Sequence, residues 1–208
     1  MNRKGFMLVI SSPSGAGKTS IVKNIFKNDR DLVSSVSVTT RKPREGEIDG
    51  VDYYFVSKER FEEMINNGDF LEHANVFGHY YGTTERNVKG CLEKGIDVVF
   101  DIDWQGHKQL LSKAKEEVVS VFVLPPSMEE LKRRLYKRGL DTTETIEYRM
   151  HRAANEIAKW ELYDYVVINH NLQDSANAVM NIVKAERFKR SRQVRLDDFV
   201  DLLVRKRH

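Results

Sequence analysis

SSPSGAGKT, at residues 11–19, decides the fold; it follows the apolar run MLVI (7–10) and precedes SIV (20–22). This succession predicts a buried strand, a tight turn of small residues and the start of a helix. The stretch matches the phosphate-binding pattern G-x-x-x-x-G-K-[ST] except that Ser12 replaces the first glycine. A serine costs little at negative φ, so we expect Ser12 to have negative φ and the loop to work.

A loop of this kind binds phosphate mainly through its backbone. Successive N–H groups and the helix N-terminus point at anionic oxygens, Lys18 adds a charge near the β- and γ-phosphates, and Thr19 can bind Mg²⁺. An ordinary strand-to-helix turn is the alternative reading. The expected ATP-binding residues are Ser12, Pro13, Ser14, Gly15, Ala16, Gly17, Lys18 and Thr19.

Further apolar runs predict strands that belong to the same sheet. The expected strands are 7–10, 97–103, 118–124 and 165–170, and the helical patterns that follow them are 18–27, 104–115, 127–138 and 172–190. Unbroken Val, Ile and Phe runs suit strands covered on both faces. Strand and helix in alternation predict a doubly wound parallel α/β core that binds ligands at the carboxyl ends of its strands.

Two segments depart from this alternation. Residues 35–90 are rich in β-branched and aromatic residues with short turns, which indicates a small mixed sheet inserted as a substrate arm. Residues 128–160 are helical in pattern and dense in cations, as expected of a lid. The expected division is core at 1–34, 91–127 and 161–188, arm at 35–90, lid at 128–160 and a terminal helix at 189–208.

Composition limits the class of protein. The 208 residues, 40% of them hydrophobic, suit one domain with insertions. The net charge of +3 gives little attraction to nucleic acid, and the chain has no apolar run of the ~20 residues that span a membrane. The lone Cys91 excludes an internal disulfide and is compatible with a reducing compartment, so we expect a cytoplasmic protein. From the charge and the short apolar runs we expect neither a nucleic-acid nor a membrane partner.

The tail shows apolar residues at near-helical spacing and ends in cations that complement a helix dipole. It is expected to form an amphipathic helix docked on the core or on a partner subunit. Both a monomer and a homo-oligomer therefore remain open.

Several ordered motifs together resemble the guanylate kinase family over residues 5–188. They are SPSGAGKT (12–19), VTTRKPREGEIDGVDYYFVS (38–57), FLEHANVFGHYYGTT (70–84) and FDIDWQG (100–106). The resemblance implies a P-loop core with a GMP-binding arm and a mobile α-helical lid. It also implies transfer of the γ-phosphoryl group from ATP, with Mg²⁺, to GMP and dGMP in nucleotide recycling.

The resemblance assigns the arm to GMP. A guanidinium group can donate two hydrogen bonds to a phosphate. An ionised carboxylate can accept from the N1–H and N2–H groups of guanine together, whereas adenine has no N1–H donor. By resemblance Arg41, Arg44, Tyr53 and Tyr81 hold the phosphate, Glu72 reads guanine, and Ser37, Thr83 and Asp103 contact the base.

The remaining chemistry is carried by a strand end and by the lid. Asp101 is placed to hold Mg²⁺ through water, although a strand-end acid also commonly caps the next helix. By resemblance the lid cations are Arg134, Arg138 and Arg149, while Arg133 and Arg152 are expected to be solvated. An ionised phosphate has no proton to remove, so no general base is expected. The resemblance implies that the catalytic residues are Lys18, Arg41, Arg134, Arg138 and Arg149.

Three other functions fit the sequence less well. A catalytically inactive relative of these kinases would bind phosphopeptide in the GMP site, but such a domain is not expected to keep Lys18, Thr19 and Glu72 together. A kinase for another nucleoside monophosphate is opposed by Glu72. A nucleic-acid binder is opposed by the small net charge.

Overall fold

A five-stranded parallel sheet forms the centre of the structure, a computed structural model that describes residues 3–76, 78–137 and 143–205. Parallel strands flanked by helices confirm the predicted doubly wound core. In spatial order the strands are β2 (Leu32–Ser34), β7 (Asp97–Phe100), β1 (Met7–Ser11), β8 (Val118–Leu124) and β9 (Tyr165–Ile168).

Helices cover both faces of this sheet because alternate residues of β1 point in opposite directions. On one face Leu8 and Ile10 pack against α1 (Lys18–Asn28) and α7 (Leu172–Arg187). On the other face Met7 and Val9 pack against α3 (Glu85–Glu93) and α4 (Trp104–Ala114). The central strand is thus buried on both sides, as its unbroken apolar run predicts.

A second, four-stranded sheet lies in the predicted arm. Its strands are β3 (Val38–Thr39), β4 (Tyr54–Phe55), β5 (Phe70–Val76) and β6 (His79–Thr84). It is mixed as expected, since β3 pairs in parallel with β4 but antiparallel with β6. Helix α2 (Lys58–Asn66) covers one face, where Phe61 stacks on Phe70 at 4.5 Å.

The lid helices α5 (Met128–Lys137) and α6 (Thr143–Ile157) lie against the loop that follows β1. Ala16 of the loop, Leu131 of α5 and Ala153 of α6 form one buried cluster. Short 3₁₀ helices at Lys115–Glu117, Trp160–Leu162 and Arg190–Arg192 complete the connections.

Several sequence-based boundaries were wrong, and one strand was missed. The strand expected at 97–103 ends at Phe100, because the Asp103 carboxylate caps α4 by accepting from Gln105 N at 2.9 Å and Gly106 N at 3.1 Å. The helix expected at 172–190 ends at Arg187. The edge strand β2 was not predicted as part of the core sheet, since it offers only three residues.

The terminal helix α8 (Leu196–Arg205) forms as expected, but none of its residues is buried. Its apolar side chains remain exposed, Leu202 by 61% and Val204 by 62%. Docking of this helix on the core is therefore wrong. Among the described residues, no helix is long and apolar enough to cross a membrane.

Candidate functional site

The predicted phosphate loop lines a cavity of about 320 Å³ at the carboxyl edge of the central sheet. Asp101 and Asp103, which follow β7, line the same cavity, as predicted from their position at a strand end. Its walls are Ser11, Ser12, Pro13, Ser14, Gly15, Gly17, Lys18, Thr19, Asp101, Asp103, Trp104, Phe122 and Glu156. A larger cavity of about 820 Å³ lies on the back of the arm, but none of the predicted site residues lines it.

The loop turns at its glycines. Gly15 has φ 97° and Gly17 has φ 103°, values that disfavour any residue with a side chain. In the described part of the chain Arg195 is the residue other than glycine with positive φ, so the prediction that Ser12 has negative φ is confirmed. The departure from the pattern therefore lies at the loop's entrance.

The loop is held from the outside by its neighbours. Ser11 Oγ donates to the Ile102 carbonyl at 2.6 Å, which ties the end of β1 to the residues after β7. A Cβ built on Gly15 would lie 2.9 Å from Leu135 and 3.0 Å from Leu131. Helix α5 thus packs directly on the loop, and its position and the loop's shape depend on each other.

An ion pair lies in the cavity, where the Lys18 ammonium contacts the Asp101 carboxylate. Thr19 lies in the first turn of α1 and also lines the cavity. In the described ranges there is no group of three or more His, Cys, Asp and Glu that could hold a metal without another ligand.

A buried carboxylate lies on the polar face of the arm. Glu72 is 5% exposed, and its Oε1 accepts a hydrogen bond from Thr83 Oγ1 at 2.8 Å. Burial raises the pKa of Glu72 to about 6, helped by the charge of Asp103 and opposed by the Thr83 hydroxyl. Ser37 Oγ lies 3.4 Å from Thr83 Oγ1, so three of the predicted base-contacting residues are brought together.

A second cluster of the arm surrounds Arg41. Its guanidinium lies 5.2 Å from the centroid of the Tyr53 ring, and the rings of Tyr53 and Tyr81 are 6.0 Å apart. Arg41 also makes a bidentate pair with Glu47, at 2.8 and 3.0 Å, which holds the pKa of Glu47 below its usual range. Arg44 is exposed, and its backbone N–H donates to Glu47 at 2.8 Å.

The two clusters share one face of one strand. Tyr81 and Thr83 of β6 are two residues apart and so point the same way. Asp103 accepts a hydrogen bond from the Gly106 N–H, and a Cβ added to Gly106 would lie 3.3 Å from Glu72 Oε2. Asp103 therefore connects this face to the loop cavity. The predicted GMP and ATP residues therefore meet at the N-terminus of α4.

The lid arginines have different surroundings. Arg149 Nη1 lies 3.4 Å from Ser14 Oγ of the loop, whereas Arg134 directs its donors at Glu130, Ala16 and Asn169. Arg138 lies outside the described residues. The side chains of Arg133 and Arg152 are 65% and 50% exposed, and each pairs with an acid on its own helix.

Sequence reasoning missed three residues of this region. Glu156 of α6 lines the cavity; burial raises its pKa, and Arg152, the Ser14 N–H and Lys18 oppose that rise. Gln109 of α4 accepts from His73 N at 3.0 Å and donates to His73 O at 2.9 Å, which fastens α4 to the strand of Glu72.

The third missed residue is Asn169, which directly follows β9. It is 4% exposed and contacts the loop. Its position at the carboxyl end of a predicted strand was the available signal, whereas Glu156 and Gln109 sit in helical patterns that show no such signal.

Comparison with known proteins agrees with this geometry. The family model described as guanylate kinase matches residues 4–186. Guanylate kinases of Sphingopyxis alaskensis and Paramagnetospirillum magneticum are 54% and 52% identical, covering 99% and 98% of this chain and 93% and 95% of theirs. The crystal structure of guanylate kinase from Anaplasma phagocytophilum superposes with a TM-score of 0.76 at 40% identity, over 96% of this chain and 95% of that one. The chain belongs to the guanylate kinase family.

Proposed function

We propose that this chain transfers the γ-phosphoryl group of ATP to GMP, giving ADP and GDP, and that it accepts dGMP as well. The observation that supports the proposal is the placement of the buried Glu72 carboxylate beside a phosphate loop. Glu72 and the loop cavity are adjacent through Asp103 and Gly106, so an acceptor held by the arm would lie beside the donor site.

Guanine recognition follows from the chemistry of Glu72. With a pKa of about 6, its carboxylate is mostly ionised at neutral pH and can accept from guanine N1–H and N2–H. Adenine would present a lone pair at N1, leaving a buried acceptor unpaired, which a site of this kind rejects strongly. Thr83, Ser37 and Asp103 are proposed to complete the contacts to the base.

The phosphate of GMP is proposed to bind Arg41, Arg44 and the hydroxyls of Tyr53 and Tyr81. Arg41 is oriented by Glu47 on one side and by the tyrosine rings on the other. A preorientated guanidinium loses little side-chain entropy when phosphate arrives. The exposed Arg44 is free to move onto the phosphate from the other end of the same turn.

Transfer is proposed to rest on position and charge. The loop from Ser12 to Thr19 would hold the ATP phosphates, and Lys18, Arg134, Arg138 and Arg149 would neutralise the charge that spreads over the transferred group. Mg²⁺ bound with ATP would supply positive charge that neutralises the phosphates. Thr19 and Asp101 would hold it, since a hydroxyl-bearing residue and a half-exposed carboxylate line the same cavity.

The wider organisation is proposed on the same basis. Residues 35–90 would act as the GMP arm and 128–160 as the lid, both closing on the core. We propose a cytoplasmic location and no nucleic-acid partner. Both a monomer and a homo-oligomer fit the chain, and α8 is the segment through which we propose self-association, because its apolar side chains are exposed.

The test is an ADP-release assay with ATP, Mg²⁺ and, separately, GMP, dGMP, AMP, CMP, UMP and dTMP. We expect turnover with GMP and dGMP alone. The Lys18→Ala chain, purified in the same way, controls for contaminating kinases. Equal turnover with AMP, or none with GMP, would overturn the proposal.

A further inference from the structure

The carbonyl of Ala16, in the middle of the phosphate loop, accepts two hydrogen bonds from outside the loop. Asn169 Nδ2 donates at 2.7 Å and Arg134 Nη1 at 3.2 Å. Ala16 is fully buried, whereas the next residue, Gly17, lines the cavity. Both donors therefore hold the loop at a buried carbonyl and not at one that lines the cavity.

Holding this carbonyl also sets the direction of the next amide. The C=O and N–H of a trans peptide point in opposite directions, and the described chain contains no cis peptide bond. With the Ala16 carbonyl drawn toward Asn169, the Gly17 N–H must face the other way, toward the cavity. Gly17 is also the N-cap of α1, where orphan N–H groups and the helix dipole attract anions.

Asn169 is itself fixed on every side. Its Oδ1 accepts from Ser175 Oγ at 3.0 Å, and Ser175 is 3% exposed on α7. This bond decides which end of the amide faces the loop, because the oxygen is already used and only the NH₂ group can reach Ala16. The Asn169 backbone donates to Leu124 O at 2.8 Å and accepts from Arg134 Nη2 at 2.9 Å.

Gly17 and Asn169 fit each other closely. A Cβ on Gly17 would lie 2.3 Å from Asn169 Nδ2, too close for any side chain. Glycine at this position is thus needed for two separate reasons, its positive φ and the approach of the amide.

We propose that Asn169 is a positioning residue of the donor site. The hydrogen-bonded series Ser175, Asn169 and Ala16 holds one peptide of the loop so that the Gly17 N–H is presented to the polyphosphate of ATP. The identity of the ligand as ATP rests on the proposed function, but the mechanism requires only a polyphosphate.

The principal test is Asn169→Asp, which keeps the shape of the side chain but replaces the donor facing Ala16 with an acceptor. We expect the affinity for ADP and for inorganic tripolyphosphate, measured by calorimetry, to fall by about 10-fold or more, because the Ala16 carbonyl loses one of its two donors and faces a carboxylate instead. The affinity for GMP should not change. Tripolyphosphate is the decisive probe because it has no base.

Ser120→Ala is the matched control. Ser120 lies on strand β8 and is 1% exposed. Its Oγ donates to the Asp164 carboxylate at 2.8 Å and, within the described residues, makes no hydrogen bond to the loop. We expect this variant to lower the melting temperature without changing the affinity for tripolyphosphate. Ser175→Ala is the milder loop variant and should weaken tripolyphosphate by about 3-fold, since Asn169 keeps its donor but loses its restraint.

Two results would overturn the proposal. The first is that Asn169→Asp weakens the affinity for ADP but not that for tripolyphosphate, in which case Asn169 acts on the base or ribose. The second result is that Asn169→Asp weakens the affinities for ADP and GMP equally and lowers the melting temperature as Ser120→Ala does. In that case Asn169 stabilises the fold and has no specific effect on the loop. Should Asn169→Asp fail to fold, Ser175→Ala is judged by the same two ratios. A wild-type chain that binds tripolyphosphate but does not phosphorylate GMP would defeat the proposed function and leave this test intact.

Discussion

The donor and acceptor halves of the site are built from different parts of the chain. The loop around Gly15 and Gly17 offers backbone N–H groups, with side chains behind it that hold its shape. The arm offers side chains, and we propose that Glu72 contacts the base and Arg41 the phosphate. Backbone groups recognise any phosphate chain, whereas side chains can distinguish one base from another, so selectivity should reside in the arm.

The largest effect expected is that of Lys18→Ala on the donor half. Removing the ammonium takes away charge stabilisation of the transferred group and leaves Asp101 without its partner. Turnover should fall on the order of 10³-fold. GMP affinity, measured by calorimetry without ATP, should stay within about 2-fold, because the arm is built separately. Loss of GMP binding with normal ATP binding would contradict the division into two halves.

The matching change in the acceptor half is Glu72→Gln. The amide keeps the shape but places an NH₂ group against a guanine donor or against Thr83. Losing one charge-assisted hydrogen bond should lower kcat/KM for GMP by roughly 30- to 150-fold. The affinity for ADP is the internal control and should not change. An unchanged kcat/KM for GMP would remove Glu72 from its assigned role.

The pH dependence of GMP binding separates the halves in a further way. Because burial raises the pKa of Glu72 to about 6, the carboxylate becomes protonated as the pH falls through that value and loses an acceptor. GMP affinity should then fall by up to about 10-fold per pH unit below pH 6. The GMP phosphate also titrates near pH 6.

Glu72→Gln serves as the reference for this measurement, because the phosphate titrates equally in both proteins. The curve of GMP affinity against pH should fall more steeply for the wild type than for the variant between about pH 7 and about pH 5. Guanosine has no phosphate, so its binding to the wild type should show only the contribution of Glu72. Parallel curves would show that Glu72 does not titrate in this range. ADP affinity should not follow the Glu72 transition.

The same difference decides what could be predicted from the sequence. The core and the loop were predictable because their chemistry is local: an apolar strand, two glycines and Lys18 stand within a dozen residues. The arm residues became interpretable only through the family resemblance, since Glu72, Thr83 and Ser37 are far apart in sequence and meet only across strands.

The supporting residues could not be predicted from any spacing. Gln109 and Asn169 act through backbone groups of distant segments, His73 and Ala16, and such contacts depend on how elements pack. The exposure of α8 likewise follows from tertiary packing, because its amphipathic pattern would suit a docked helix equally well.

The smallest effect expected is that of Ser12→Gly, at the entrance of the loop. Ser12 does not have positive φ, and its Oγ donates only to the adjacent Pro13 carbonyl at 3.0 Å. Glycine would restore the usual pattern without changing the groups that turn the loop or hold Ala16. The KM for ATP should therefore stay within about 2-fold of the wild type, a free-energy change below ~0.5 kcal/mol. Gly15→Ala is the contrasting variant, because Gly15 has positive φ and a Cβ there would lie 2.9 Å from Leu135. Gly15→Ala should raise the KM for ATP far more than Ser12→Gly does. A large effect of Ser12→Gly would mean that the backbone cradle begins one turn earlier than Gly15, and that the donor half depends on a side chain after all.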